Sequence, residues 1–209
     1  MGAGNSPLFL SKLVVETMPD IPSHHMIYGT LTDFVTGEAL VDTDDERYRQ
    51  KLARLLVEEK GFVREELEPR RKIETLFAGC FVVSTIELVV RLAGRPLMLL
   101  RYGPGSLVSR ERPTLAAARV IEPDTLIPLA VISNGEDAEI LDTVSGKVTA
   151  TGLAAIPDRQ QLVALAASQP PLPGLPPDRR EKELRILNAF DVEGCCVGGP
   201  CALPGASEG

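Results

Sequence analysis

Hydrophobic and polar positions are most regularly ordered between Arg71 and Gly146, where apolar runs alternate with glycine-containing turns. The turns include Ala93-Gly94, Gly103-Pro104-Gly105 and Asn134-Gly135, which are typical loop sequences. Between them the pattern predicts elements in the order β-β-β-α-β-β. The predicted segments are strands at Lys72–Phe77, Phe81–Arg91 and Pro96–Tyr102, a helix at Thr114–Ile121, a strand at Ile127–Ile132 and a hairpin that turns at Gly146.

A helix is predicted before this region. The sequence Thr43-Asp44-Asp45-Glu46 offers a side-chain acceptor and three acidic residues, which suit the N-terminal end of a helix. Gly61 is a suitable residue to end it. The charged side chains between these ends, including Arg49, are predicted to form a solvated face. The apolar stripe of the helix consists of Tyr48, Leu52, Leu55 and Leu56.

The chain divides into four predicted parts. Residues 1–25 are predicted to be an extended N-terminal arm, and residues 26–168 a folded domain whose last helix is Ile156–Ser168. Residues 169–177 contain five prolines and a glycine, so they are predicted to be a linker. Residues 178–209 are predicted to be a tail that begins as a helix and ends in a region rich in cysteine and glycine.

The composition is that of a globular protein, with 44% hydrophobic and 24% charged residues among 209. A net charge of -7 disfavours a globally basic nucleic-acid-binding protein, although the arginines between Arg64 and Arg119 leave a local basic patch open. The sequence has no apolar run of membrane-spanning length and no secretory signal, and it has only four cysteines. We therefore expect a cytoplasmic protein with reduced thiols and no membrane segment.

Glu87 is the one ionisable residue that interrupts the apolar run from Phe81 to Val90. Regular alternation would place Thr85, Glu87 and Val89 on one face of the strand and the apolar residues between them on the other. Two interpretations remain open. Glu87 is either an exposed glutamate on a strand that is polar on one side, or a functional carboxylate. The common P-loop, GxSxG and HExxH motifs are absent from the sequence.

The C-terminal cysteines are a second candidate site. Cys195, Cys196 and Cys201 place three thiols within seven residues. A zinc or iron–sulfur centre needs four ligands, which Cys80 or a second chain could complete. The alternative is that these are unpaired tail thiols, because both the ligand count and the spacing are incomplete.

The order of elements resembles the N-terminal domain of type I restriction enzyme R subunits over roughly Asp44 to Gly146. That resemblance implies a PD-(D/E)xK nuclease core, an α/β (α+β) fold whose central mixed sheet is flanked by helices. It also implies that an Asp and a Glu from adjacent strands hold magnesium, with a nearby lysine to orient water. The matching sequences are Asp45-Glu46-Arg47-Tyr48-Arg49, Ile86-Glu87-Leu88-Val89-Val90, Gly94-Arg95-Pro96-Leu97-Met98-Leu99-Leu100, Gly103-Pro104, Ile132-Ser133-Asn134-Gly135 and Leu141-Asp142-Thr143-Val144-Ser145-Gly146-Lys147.

Transferred residue by residue, the resemblance places the metal-binding Asp on Glu87 and the Glu-x-Lys motif on Leu100-Arg101-Tyr102. Leucine cannot bind a cation, and tyrosine carries no positive charge. The first hypothesis is therefore a stand-alone, catalytically degenerate relative that serves as a nucleic-acid-related binding or assembly module. It could contact DNA or a protein partner, and it is too short to carry a DNA-translocating motor.

Two alternative functions remain open. One is an active, magnesium-dependent endodeoxyribonuclease with a rearranged site that recruits Glu68, Glu74, Glu87 or Glu111. The other is a metal- or redox-responsive protein that works through its C-terminal cysteines. The basic residues predicted to contact nucleic acid are Arg70, Arg71, Lys72 and Arg101, with Arg91 and Arg95 on the same face in the nuclease alternative.

Overall fold

The computed structural model describes residues 27–191, which begin with a hairpin and a helix. Strands β1 (Ile27–Thr32) and β2 (Ala39–Thr43) pair antiparallel, and α1 (Asp44–Arg54) follows directly. The hydroxyl of Thr43 accepts a hydrogen bond from the backbone N–H of Glu46, so the predicted N-terminal cap is confirmed. The helix continues as a wider turn, Leu55–Glu59, and the chain then reverses at Gly61 with a φ of 74°.

A six-stranded mixed sheet forms the centre of the protein. In chain order, its elements and the helix that crosses it are β3 (Leu67–Phe77), β4 (Cys80–Leu92), β5 (Arg95–Tyr102), α2 (Val108–Val120), β7 (Leu129–Ser133), β8 (Ala138–Asp142) and β9 (Val148–Thr151), with the short β6 (Thr125–Leu126) before β7. Spatially the strands lie in the order β3-β4-β5-β7-β8-β9. All neighbours are antiparallel except β5 and β7, which are parallel and are connected through α2. A parallel pair needs such a crossover connection.

The chain after β9 returns to pack on this sheet. The helix α3 (Arg159–Ser168) begins at Asp158, whose carboxylate accepts a hydrogen bond from the N–H of Gln161. A short strand β10 (Leu172–Pro173), within the predicted linker, pairs with β6, and α4 (Pro177–Phe190) lies against α2, β3 and β4. The boundaries of the four predicted parts remain predictions.

Two hydrophobic cores lie on opposite faces of the sheet. The first contains Leu52 and Leu56 of α1 with Leu100 of β5, and the second contains Leu115 of α2 and Leu187 of α4. The predicted fold class, a mixed sheet flanked by helices, is confirmed. None of the described helices is long and apolar enough to cross a membrane.

Two element boundaries differ from the prediction. Strand β3 begins at Leu67 rather than near Lys72, because its first residues pair with Val89 and Val90 of β4 and the side chain of Glu68 is neutralised by arginines. Helix α2 begins at Val108 rather than at Thr114, with Pro113 inside it. Both differences come from tertiary pairing and packing, which local sequence does not reveal.

Candidate functional site around Glu87

Glu87 lies where the regular alternation of β4 breaks. Ile86 and Val89 belong to the core beneath α2 and α4, whereas Leu88 belongs to the core beneath α1. Arg70 of β3 lies opposite Glu87 and has a φ of 53°. Arg70 and Glu87 do not pair, although the β3–β4 pairing is continuous on both sides of them. The predicted faces are therefore wrong for the second half of the strand. Glu87 faces α1 together with Thr85, as alternation predicts, and the local irregularity brings Leu88 to that same face.

The carboxylate of Glu87 is almost fully buried, with only 9% of its side chain exposed. This excludes the interpretation of Glu87 as an exposed glutamate. Its Oε1 lies 3.4 Å from Nε of Arg49 in α1, while no hydrogen-bond partner for its Oε2 is found among the described residues. Burial raises the pKa of Glu87, and the charges of Arg101 and Arg49 together with the backbone N–H of Tyr102 oppose that shift.

The neighbouring strand β5 brings Leu100 and Tyr102 to the same face. Leu100 is fully buried in the core beneath α1 and pairs with Leu88. The Tyr102 hydroxyl donates a hydrogen bond to Oδ1 of Asp45 at 3.1 Å, and its ring stacks on Tyr48 with centroids 5.7 Å apart. Burial raises the pKa of Tyr102, and the nearby Asp45 carboxylate raises it further, so the phenol stays uncharged.

A cavity of about 240 Å³ opens beside Glu87 on the β3 side, between the sheet and α1. Its polar wall is a buried network centred on Asp33, whose Oδ2 accepts hydrogen bonds from Arg70 at 2.7 Å and from Gln50 at 2.9 Å. Burial alone would raise the pKa of Asp33. The backbone N–H of Thr36, with Arg70 and Gln50, outweighs burial and lowers the pKa to about 2.

A comparison of the sequence with models of known protein families identifies the family of this chain. The model for the type I restriction enzyme R protein N terminus matches residues 44–157, from the start of α1 to just before α3. The chain belongs to this family. No curated protein and no solved structure matches it. The match covers α1, the whole six-stranded sheet and α2, so it includes every residue around Glu87 except the N-terminal hairpin that carries Asp33.

In this member of the type I restriction enzyme R protein N-terminal family, the basic residues that the sequence predicts to contact nucleic acid do not lie on one surface. Arg70 faces α1 and binds Asp33, while the next residue, Arg71, lies 3.0 Å from Glu122 near the end of α2. Arg101 binds Asp191, which follows α4, and Lys72 is exposed. The side chains of consecutive strand residues point to opposite faces, so the sheet separates this set.

The two further arginines named for the nuclease alternative are also engaged within the protein. Arg91 pairs with Glu68 and Glu122, and Arg95 donates to the carbonyls of Ala166 and Gln169 at the end of α3. Their cationic groups therefore satisfy internal acceptors. The nucleic-acid contacts proposed for all these residues remain predictions.

The carboxylates that could have formed a rearranged metal site are dispersed. Glu68 pairs with Arg71 and Arg91, whereas Glu111 lies near Glu139. Within residues 27–191, no group of three or more His, Cys, Asp or Glu side chains is placed to hold a metal ion. Cys195, Cys196 and Cys201 lie outside the described residues.

Two residues that shape this site, Arg49 and Asp33, are not predicted from the sequence. The charge pattern of α1 predicts a solvated face that includes Arg49, yet Arg49 contacts Glu87, and its Cζ lies 5.4 Å from the centre of the Tyr102 ring. Asp33 was not singled out, although it organises the cavity wall. The only local signal for Arg49 is its position three and four residues after Glu46 and Asp45, which places all three on one side of α1. The local sequence indicates only that Asp33 can form a turn with the N–H groups of Val35 and Thr36, whereas its side-chain partners Gln50 and Arg70 are 17 and 37 residues away.

Proposed function

We propose that this domain uses a restriction-endonuclease-like scaffold without cutting DNA, and that it acts as a nucleic-acid-related binding or assembly module. The observation that supports this most directly is the filling of the expected Glu-x-Lys position by Leu100 and Tyr102. Leu100 has no ligand atom for a hard cation, and it is fully buried among apolar side chains.

The group that takes the place of the lysine is equally unsuited to nuclease chemistry. Tyr102 remains a neutral phenol at physiological pH, and its hydroxyl is engaged by Asp45. Glu87 itself lies beside Arg49, so its charge is compensated by an arginine instead of a metal. The residues present therefore do not fit a magnesium ion in the arrangement that the family resemblance implies.

The same contacts suggest what replaced the metal site. Arg49, Asp45 and Tyr48 of α1 reach Glu87 and Tyr102 on two strands, so they anchor the helix to the sheet where a nuclease needs an open cleft. A site closed in this way stabilises the scaffold. We infer that the retained fold serves recognition or assembly through its outer surfaces.

Cleavage assays test the proposal. Supercoiled plasmid, linear duplex and single-stranded DNA are incubated with the wild-type protein in Mg²⁺ and in Mn²⁺, beside the variants Glu87→Gln and Glu139→Gln. We expect no cleavage by any of the three proteins. Cleavage by the wild type that Glu87→Gln abolishes and Glu139→Gln retains would refute the proposal and support an active, rearranged nuclease. Glu139 is a suitable control because burial raises its pKa too and it lies on β8, away from this cavity.

The binding part of the proposal needs a separate measurement. Fluorescence anisotropy with labelled duplex and single-stranded DNA at low and physiological salt measures affinity directly, and a co-purification experiment with crosslinking detects protein partners. Nucleic-acid binding that weakens steeply with salt would support the nucleic-acid role, because released counterions make phosphate contacts salt-dependent. Absence of both DNA binding and a reproducible protein partner would contradict the proposed role.

A further inference from the structure

A second cavity, of about 360 Å³, lies on the opposite face of the sheet from Glu87, between α2 and α4. We call it the α2–α4 cavity. Its charged lining consists of four cationic side chains and one carboxylate in a protein whose net charge is -7. The residues that line it are Arg112, Arg119, Leu126, Thr143, Val144, Leu175, Arg179, Lys182 and Glu183.

The single carboxylate of the α2–α4 cavity is flanked by two arginines. Glu183 is 8% exposed, and it lies 2.9 Å from Nη1 of Arg119 and 3.2 Å from Nη1 of Arg112. Arg119 also donates two hydrogen bonds to the carbonyl oxygen of Thr143, at 3.0 and 2.8 Å. Because two guanidinium groups share one carboxylate, this group of three side chains keeps a net positive charge even before the other cations are considered.

The other two cationic side chains of the α2–α4 cavity, Arg179 and Lys182, have no partner in the described part of the chain. Arg179 and Lys182 are exposed, and within residues 27–191 neither side chain makes a hydrogen bond or an ion pair. Their neighbour Arg180 differs, because it donates to the carbonyls of Val120 and Glu122 at the end of α2. Most other arginines of the domain are likewise bound to a carboxylate or a carbonyl, so this unneutralised pair is unusual.

The position of these cations is also electrostatically unfavourable for the helix. Arg179 lies in the first turn of α4 and Lys182 in the second, near the positive end of the helix dipole, where acidic residues are preferred and Asp178 is the one acidic residue of the first turn. Local violations of this kind are expected at functional sites. A bound anion would remove the conflict, because it would neutralise both the cations and the helix terminus.

A neutral hydrogen-bonding group completes the lining. Thr143 is fully buried, and its hydroxyl has no hydrogen-bond partner in the described part of the chain. Leu126, Leu175 and the exposed Val144 add an apolar margin. The lining thus combines arginine donors, a lysine, a free hydroxyl and a small apolar surface, which together suit a phosphate group attached to an organic moiety.

We propose that the α2–α4 cavity binds the phosphate group of a nucleotide or of a nucleic-acid backbone. Phosphate carries up to two negative charges and accepts several strong hydrogen bonds, which matches a cavity with four cations. This site is separate from Glu87, and it involves none of the basic residues that the sequence predicted for nucleic-acid contact. The proposal does not depend on whether the domain cleaves DNA.

Isothermal titration at low salt tests this proposal with four probes: inorganic phosphate, pyrophosphate, deoxyadenosine monophosphate and a short DNA duplex. The key variant is the double substitution Arg179→Gln/Lys182→Gln, which should fold normally because neither side chain has an internal partner. The matched control is Lys51→Gln/Arg54→Gln, which removes two exposed positive charges from α1, on the other face of the sheet.

We expect at least one phosphate probe to bind the wild type, and the Arg179→Gln/Lys182→Gln variant to bind roughly tenfold or more weakly. The control should retain affinity within about twofold, since distant surface charges are largely screened. Binding of the mononucleotide would identify a free nucleotide as the source of the phosphate, and binding of the duplex alone would identify a nucleic-acid backbone. No binding of any probe, or an equal loss in both double variants, would overturn the proposal.

Discussion

Replacing Asp33 by asparagine is the sharpest test of how the N-terminal hairpin is held to the domain. Asp33 is 3% exposed. It accepts hydrogen bonds from the N–H groups of Val35 and Thr36, from Gln50 and from Arg70. An asparagine could accept only some of these, and the uncharged amide would remove the nearest of the three carboxylates around Arg70, leaving Glu38 and Glu46 at 3.6 and 3.9 Å.

The magnitude follows from the pKa of Asp33, which is lowered from 3.8 to about 2. At about 1.4 kcal/mol per pKa unit, ionised Asp33 contributes roughly 2.5 kcal/mol to stability at neutral pH. The misfitted amide adds about 1 kcal/mol or more, because a buried donor is left unsatisfied. We therefore expect Asp33→Asn to lower the free energy of unfolding by about 2–4 kcal/mol at neutral pH.

The pH dependence separates the charge effect from simple loss of packing. Because the folded pKa of Asp33 is below the unfolded value of 3.8, its contribution is complete above that value and is lost as the pH falls toward about 2. The difference between the wild type and Asp33→Asn should therefore shrink by roughly 1.5 kcal/mol between about pH 7 and about pH 2.5.

Urea unfolding followed by circular dichroism at several pH values measures this difference. Asp124→Asn, at an exposed position, is the control and should cost less than about 0.5 kcal/mol throughout. The reasoning would be refuted by an Asp33→Asn variant within about 0.5 kcal/mol of the wild type at neutral pH. It would equally be refuted by a deficit that does not change with pH.

Three further predictions concern the site and its surroundings. Because burial raises the pKa of Glu87 above its ordinary value of 4.5, the folded protein takes up a proton more readily than the unfolded chain. The free energy of unfolding should therefore increase as the pH falls from neutral toward 4.5, and Glu87→Gln should remove that dependence in urea unfolding. Gly135→Ala should lower the free energy of unfolding by about 2 kcal/mol or more, because a Cβ there would lie 2.2 Å from the Tyr48 ring. The control Gly79→Ala has a similar positive φ but open space around it, so it should lower the free energy of unfolding by only about 1 kcal/mol. Equal losses would contradict this steric argument. Leu100 is fully buried, so Leu100→Ala should lower the free energy of unfolding by about 2–5 kcal/mol, and Leu100→Met by less than about 1.5 kcal/mol. A mild effect of the alanine would show that Leu100 does not lie in a packed core.

The sequence was informative where local rules dominate. The apolar runs of β4 and β5 and the turn at Gly94 place both strands to within one residue, because long buried strands and tight turns have strong composition signals. The cap at Thr43 was predictable for the same reason, since a side-chain acceptor at that position acts only on the following turn. The family resemblance was likewise visible from the order and spacing of these elements.

The sequence was less informative about which side chains meet. Regular alternation gave the wrong face for part of β4, because it cannot foresee that Arg70, on another strand, adopts a positive φ to bind Asp33. Counting positive residues also suggested a basic surface near Arg70 and Arg71. Charge counts carry no information on which cations are neutralised internally.

By itself, the sequence determined the order of most elements and the apolar runs of β4 and β5, which depend on residues near one another along the chain. Only the tertiary structure decided that Arg49 closes over Glu87 and that Arg112 of α2 meets Lys182 of α4 at one cavity. These partners are separated by 38 residues in the first case, and in the second they lie on different helices. Their proximity is set by how the helices pack on the two faces of the sheet, which no local pattern encodes.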